Sequence, residues 1–284
     1  MNTSSRAPIS DVFLGVSALL SRKKVPVAIA VLSFAMLLAV GSSALQFKVM
    51  HIEEGLMSEL ALDQEALRTT VDADLGVIST MEFGEFIQQS GYRFGAESLQ
   101  PVGEHAVGMK FMLRVAPFIA LQVLFNITVM FCAGVFFLLL FTRGSESAYQ
   151  TAQRLPANIL RMCGLMIWML VRSLIWIPFI GPVLGIYMVP RLSLAPVFLA
   201  SGEAGVFQSL HLSMRRTSGH WFTVFLRLVL ILIVGCIILW PMLVLAVGVS
   251  LLSAKLGFML LLLALMFMIA FLCASLTVLG AMMA

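Results

Sequence analysis

Six apolar segments decide what this chain can become. They run 25–47, 115–141, 159–180, 183–200, 221–247 and 256–282, and none holds an aspartate or glutamate. A hydrocarbon core of about 30 Å takes about 20 helical residues to cross, and most of these segments are that long. The chain of 284 residues is 61% hydrophobic and 11% charged, whereas a soluble domain carries about 25% charged residues. Lipid is therefore the solvent for most of it. The expected class is all-α: a polytopic α-helical membrane protein with about six transmembrane helices and a small extracytoplasmic helical insertion.

Residues 1–24 come first. Ile9, Val12, Phe13, Val16, Leu19 and Leu20 recur at helical spacing, and Arg22, Lys23 and Lys24 close the stretch. This pattern predicts an amphipathic helix lying on the cytoplasmic surface. Segment 25–47 also resembles a signal peptide, with a basic cluster before it and a Ser42-x-Ala44 site; we read it as an uncleaved first span.

Residues 48–114 are the only long polar region and hold eleven of the fourteen acids. Ile52, Leu56, Leu60 and Leu67 predict a helix over His51–Arg68, and a second is expected over Met81–Gln89. Gly84, Gly91, Gly95 and Gly103 are expected to break the remainder. So few large apolar side chains bury little core, and the region reads as an acidic extracytoplasmic cap. In segment 115–141, Gln122, Asn126 and Thr128 are expected to hydrogen-bond a neighbouring helix. A polar loop is expected over 142–158. Pro241 is expected to kink the span 221–247, and Ala270, Ala274 and Gly280 are small packing positions in the last span. The four cysteines all lie in apolar segments, as packing residues and not as a disulfide framework.

Charge sets the orientation. With the N-terminus inside, ten bases and three acids lie at the cytoplasm, six bases and eleven acids lie outside, and Arg172 and Arg191 remain in the membrane. The excess of Lys and Arg on the short inner loops is the positive-inside signal. Both termini are then cytoplasmic, with 48–114 outside. This segregation removes nucleic acid as the reason for a pI near 9.1.

The hairpin 159–200 turns at Gly181-Pro182. Arg172 and Arg191 lie nine and ten residues to either side of Gly181, about 13–15 Å from the turn in a helix. Neither has a buried acid to pair with. Three readings follow. The two snorkel or bond carbonyls freed near Pro178, Pro182 and Pro190. Or residues 173–190 dip only halfway, leaving both arginines at inner headgroups. Or the pair binds an anion, a lipid phosphate or a translocated solute. The helix expected over 203–219, capped by Ser201 or Gly202 with Glu203 in its first turn, lays Phe207, Leu210 and Met214 on one stripe and ends at Gly219. It reads as an interfacial connector, with Arg215 and Arg216 as candidate contacts to acidic lipid.

The order PFIGPVLGIYMVPRLSLAPVFLASGEAG, then a helix with Ser213-Met-Arg-Arg-Thr-Ser-Gly-His-Trp leading into a span, resembles a group of bacterial inner-membrane proteins. These are the YciC-like proteins and the membrane domain found in some glycerophosphodiester phosphodiesterases. ISDVFLGVSALLSRKK before the first span fits as well. The likeness covers roughly residues 9–45 and 115–284; region 48–114 departs from it. The resemblance implies a bacterial inner-membrane location and this topology. A soluble phosphodiesterase domain, where present, carries the group's chemistry; this chain has none, so no catalytic residue is implied.

Three functions follow. The favoured one is a non-enzymatic multi-pass protein, a structural or assembly subunit of an envelope complex that meets a partner through the 48–114 cap. It needs no cofactor and no metal, and no nucleophile elbow, HExxH or phosphate loop is present. The alternative is a transporter or channel for an anion or lipid, with Arg172, Arg191, Arg215 and Arg216 as contacts. The third is a membrane enzyme with metal ligands drawn from His51, Glu53, Glu54, Glu104 and His105, or from His211 and His220.

Overall fold

The computed structural model describes residues 9–75, 100–144, 146–174, 187–251 and 253–283. Among them all regular structure is helical. The helices are α1 (Ile9–Arg22), α2 (Lys24–Leu75), α3 (Gln100–Thr142), α4 (Ala148–Leu174), α5 (Ala195–Ser201), α6 (Val206–Arg216), α7 (Trp221–Ser250) and α8 (Ala254–Met282). Five stretches are long and apolar enough to cross a membrane: Lys24–Leu45, Arg114–Thr142, Ala148–Val171, Trp221–Ser250 and Ala254–Met282. This is the architecture of a polytopic α-helical membrane protein.

The expected sixth span, 183–200, begins outside the described residues, as does the turn at Gly181-Pro182. Its described part is not one helix. A helical stretch over 187–192 gives way to a turn at Ser193 and Leu194 before α5 begins, with Pro196 in the first turn of α5, where a missing N–H is harmless. The loop expected over 142–158 is shorter than predicted. Ser147 and Gln150 form a reciprocal cap, Gln150 N–H to Ser147 Oγ at 3.3 Å and Ser147 N–H to Gln150 Oε1 at 3.0 Å. That capping box starts α4 at Ala148, and polar residues 148–158 are its first turns.

The chain forms two compact units, residues 1–39 with 127–284, and residues 40–126. In the first, Phe34 packs edge-on against Phe136 at 5.9 Å, and Phe137 stacks on Phe141 at 6.2 Å. α7 and α8 form an antiparallel pair drawn together by small residues. A Cβ on Gly257 would lie 2.7 Å from Ser250 Cα and 2.8 Å from the Ala246 carbonyl oxygen. Ala270, Ala274 and Gly280 are all buried in α8, as their size predicted. α1 lies on α8: Val12 and Val16 are buried, and a Cβ on Gly15 would come within 2.8 Å of Val278.

α5 closes one end of this unit. Phe198 of α5 is buried with Leu194, Val224 in the first turn of α7 and Leu279 in the last turn of α8. Gly280 leaves room for Val197, 3.0 Å from where a Cβ would stand. The start of α7, the end of α8 and α5 thus share one layer.

In the second unit, Gln122 of α3 donates to Ser42 Oγ of α2 at 2.7 Å and to Asn126 Oδ1 at 3.2 Å. Gln122 and Asn126 therefore meet a neighbouring helix as expected. A Cβ on Gly41 would lie 2.2 Å from the Phe125 ring, so only glycine permits that approach. The helix expected over His51–Arg68 lies within α2, which runs on to Leu75. Gly103, expected to interrupt the chain, lies inside α3. The helix expected over Met81–Gln89 lies outside the described residues.

Candidate functional site

The four arginines singled out by sequence are placed differently by the fold. Arg172 lies in the last turn of α4, and its side chain lies outside what the structure describes. Arg191 lies in the helical stretch 187–192. Its guanidinium stands over the Tyr187 ring, 4.8 Å from the centroid, and its Nη1 donates to the Tyr187 hydroxyl at 2.5 Å. Among the described residues its buried Nε–H has no acceptor. Tyr187 in turn packs edge-on against Trp221, 5.3 Å away. Arg191 therefore stands beside the first residue of α7.

Arg215 and Arg216 occupy the last turn of α6, where the helix dipole favours a cation. Arg215 is exposed. Arg216 reaches back over the Phe198 ring of α5 at 5.0 Å, a cation–π contact. Its buried Nη1 likewise has no acceptor among the described residues. The Ser213 hydroxyl, three residues earlier, donates to the Arg191 carbonyl at 2.5 Å. α6 thus connects the two arginines whose buried donors lack an acceptor among the described residues.

α6 differs from its predicted form in two ways. It begins at Val206, not after Ser201 or Gly202. Gly202 has φ +82° and closes α5 in the left-handed region, where glycine carries no steric penalty. The Gln208 side chain accepts from the Gly205 N–H at 3.3 Å and starts the new helix. The buried face differs as well. Of the expected stripe, Leu210 is buried but Phe207 is 67% exposed, and Ser209, Ser213 and Thr217 are wholly buried. The three recur every four residues and pack where only small side chains fit. Their hydroxyls find backbone acceptors, Ser209 to Val206 at 2.8 Å and Thr217 to Ser213 at 2.8 Å, so burial leaves no unmet donor. The helix ends at Arg216, three residues before the Gly219 expected to close it, and Gly219, with φ +81°, lies in the turn that follows.

A second cluster escaped the sequence reading. Glu146 Oε1 accepts from Arg154 Nη1 at 2.9 Å and from Arg143 Nη1 at 3.5 Å. Lys23 Nζ donates to the Glu146 carbonyl at 3.2 Å. Arg143 Nε donates to the Ala200 carbonyl of α5 at 3.1 Å. One acid thus joins the α1–α2 junction, the end of α3 and the start of α4, and Arg143 ties α5 to them. The signal was available: Glu146 is the only acid between Thr142 and Asn158, with Arg143 and Arg154 beside it.

Among the described residues no three His, Cys, Asp or Glu side chains approach closely enough to share a metal ion. His211 and His220 are both exposed. Arg227 is buried in α7 and engaged. Chemically, the layer around α5 and α6 offers hydrogen-bond donors and positive charge, the equipment for holding an anion. Comparison with protein-family models, with curated proteins and with solved structures finds no match for this chain, so these contacts alone describe the region.

Proposed function

We propose that this chain is a non-enzymatic multi-pass protein of a bacterial inner membrane, a structural or assembly subunit that docks a partner protein through its acidic region 48–114. One observation carries the reading. The acids from Glu53 to Asp74 lie on α2 itself, the helix that also holds the apolar stretch Lys24–Leu45. A charged helix continuous in sequence with a membrane anchor is a ready docking element for a basic partner surface.

The test is purification of the tagged full chain in mild detergent after cross-linking. The wild type should retain a reproducible partner. A variant with Glu53, Glu54, Glu59, Asp63 and Glu65 changed to their amides should lose it while keeping its elution volume. No reproducible partner, or an unchanged partner set in the amide variant, would overturn the proposal.

A second reading, a transporter for an anion or lipid, is favoured by one specific feature: Arg191 Nε and Arg216 Nη1 are buried donors without acceptors among the described residues. Buried donors are rarely left so, and an anionic cargo would supply what they lack. Flux of a phosphate-bearing solute in vesicles, abolished by Arg191→Gln, would establish it over the first.

A further inference from the structure

α4 is long and apolar enough to cross a membrane, yet three placements in the fold argue that it does not. The first is where it starts. Arg154, in its second turn, is held at 2.9 Å by Glu146, and Glu146 is tied to Lys23 and Arg143. Arg143 binds the Ala200 carbonyl of α5. α5 shares its layer with the start of α7 and the end of α8.

The second is where Trp168 lies, fourteen residues and about 21 Å further along the helix. Its ring packs edge-on against Phe207 of α6 at 5.4 Å. α6 belongs to the same layer, since Ser213 binds Arg191 beside the start of α7. Its residues Gln208, His211 and Arg215 are exposed, a polar surface unsuited to hydrocarbon. A crossing α4 would carry Trp168 to mid-depth, away from this layer.

The third is the return. α4 ends at Leu174, and Tyr187 already touches Trp221. Leu174 and Tyr187 are thirteen residues apart in sequence, fewer than the about 20 that a helical crossing takes.

The faces of α4 agree. Thr151, Asn158, Met162 and Leu165 form its buried stripe, and Leu160 and Ile167 are 78% and 64% exposed on the opposite side. Arg154 and Arg161, at a step of seven, fall beside the buried stripe, and position 172, eleven further on, has the same helical register. No acid occurs on the helix, and Arg161 is exposed.

We propose that α4 lies along the membrane surface, with Leu160 and Ile167 in the acyl boundary and its arginine stripe against the phosphates of anionic phospholipid. An in-plane helix with one apolar and one basic face has this chemistry. The basic stripe selects an anionic lipid over a zwitterionic one or a protein groove. This inference stands apart from the docking function and survives its failure.

The experiment uses the full chain in vesicles of phosphatidylglycerol and phosphatidylcholine, with the native cysteines replaced and a nitroxide placed in turn at positions 160, 167 and 171, which share one face. Depth comes from power saturation by oxygen and a nickel chelate. An in-plane helix gives three depths within one helical pitch, about 5 Å. An upright one gives a gradient of about 16 Å from 160 to 171; any gradient above about 8 Å, half that rise, overturns the placement. The lipid half is read from lipid retained in mild detergent. Wild type should enrich phosphatidylglycerol. Arg161→Gln with Arg172→Gln should lower that enrichment roughly fivefold per arginine, and Arg161→Lys with Arg172→Lys should keep it. An unchanged ratio in the glutamine pair, or an equal drop in the lysine pair, overturns the lipid assignment.

Discussion

Gly257→Ala offers the sharpest test of the α7–α8 packing. The new Cβ would stand 2.5 Å from Ser250 Cβ, 2.7 Å from Ser250 Cα and 2.8 Å from the Ala246 carbonyl oxygen. Carbon atoms at contact prefer about 3.5–4.0 Å, so the two backbones must part by about 1 Å. Two of the three obstructing atoms are backbone and cannot rotate aside. Overpacking of this kind costs about 1–3 kcal/mol. Replacing glycine by alanine inside a helix also returns about 0.5–1 kcal/mol.

Gly248→Ala removes that second effect from the comparison, because Gly248 lies in the same hairpin and a Cβ there meets nothing within 4 Å. The gap between the two variants should therefore be the overpacking alone, about 1–3 kcal/mol. At about 2 °C per kcal/mol for a chain of this size, the middle of the range is about 4 °C. Loss of the size-exclusion peak after heating in detergent reads it directly. Ser250→Gly added to Gly257→Ala removes only the Cβ contact and should recover less than half of the gap. Equal midpoints for Gly257→Ala and Gly248→Ala would refute the close approach of the two helices.

Other outcomes follow from single contacts. Arg143→Ala should lower stability by about 1.5–3 kcal/mol, because it strands the buried Ala200 carbonyl as well as losing Glu146. Arg154→Ala should change stability by less than about 1 kcal/mol, since its side chain is 56% exposed; equal losses would show that the Ala200 contact contributes nothing. Gly202→Ala places an L-residue at φ +82° and should cost about 1–2 kcal/mol, with Gly202→Asn closer to wild type, both measurable by the same heating assay. Gln122→Leu removes the donor shared by Ser42 and Asn126 and should cost about 0.6–1.7 kcal/mol. In a double-mutant cycle with Ser42→Ala the two losses should not add.

The helical elements were legible where hydropathy alone decides. The stretches 25–47, 115–141, 221–247 and 256–282 all lie within helices of the fold. Local chemistry was harder to read. The polar run after Ser147 reads as loop until Ser147 and Gln150 are seen as a capping pair. The pair is polar throughout, so hydropathy gives it no weight. Spacing puts Phe207, Leu210 and Met214 on one stripe, but the packed face of α6 is built largely from small side chains, and serine fits there because its hydroxyl closes on its own helix. The cluster at Glu146 was counted as charge for orientation only. Sequence spacing relates Glu146 to Arg143 and Arg154, but it holds no sign that Lys23, more than a hundred residues earlier, would join them. Distance from a turn locates Arg191 along the chain, but Trp221, which packs on its partner Tyr187, lies thirty residues on, beyond what helical spacing can relate.

Apolar helices in lipid slide past one another with little to choose between neighbouring offsets, because one methyl contact replaces another. The Ser42–Gln122–Asn126 set behaves otherwise. Its distances of 2.7 and 3.2 Å hold at one axial offset, and a shift of a single residue, about 1.5 Å, breaks them. It works as an index pin. Whatever stretch of α2 beyond Ser42 is level with a given stretch of α3 before Gln122 is fixed there, so the vertical order of the carboxylates is dictated from inside the hydrocarbon, by three neutral side chains.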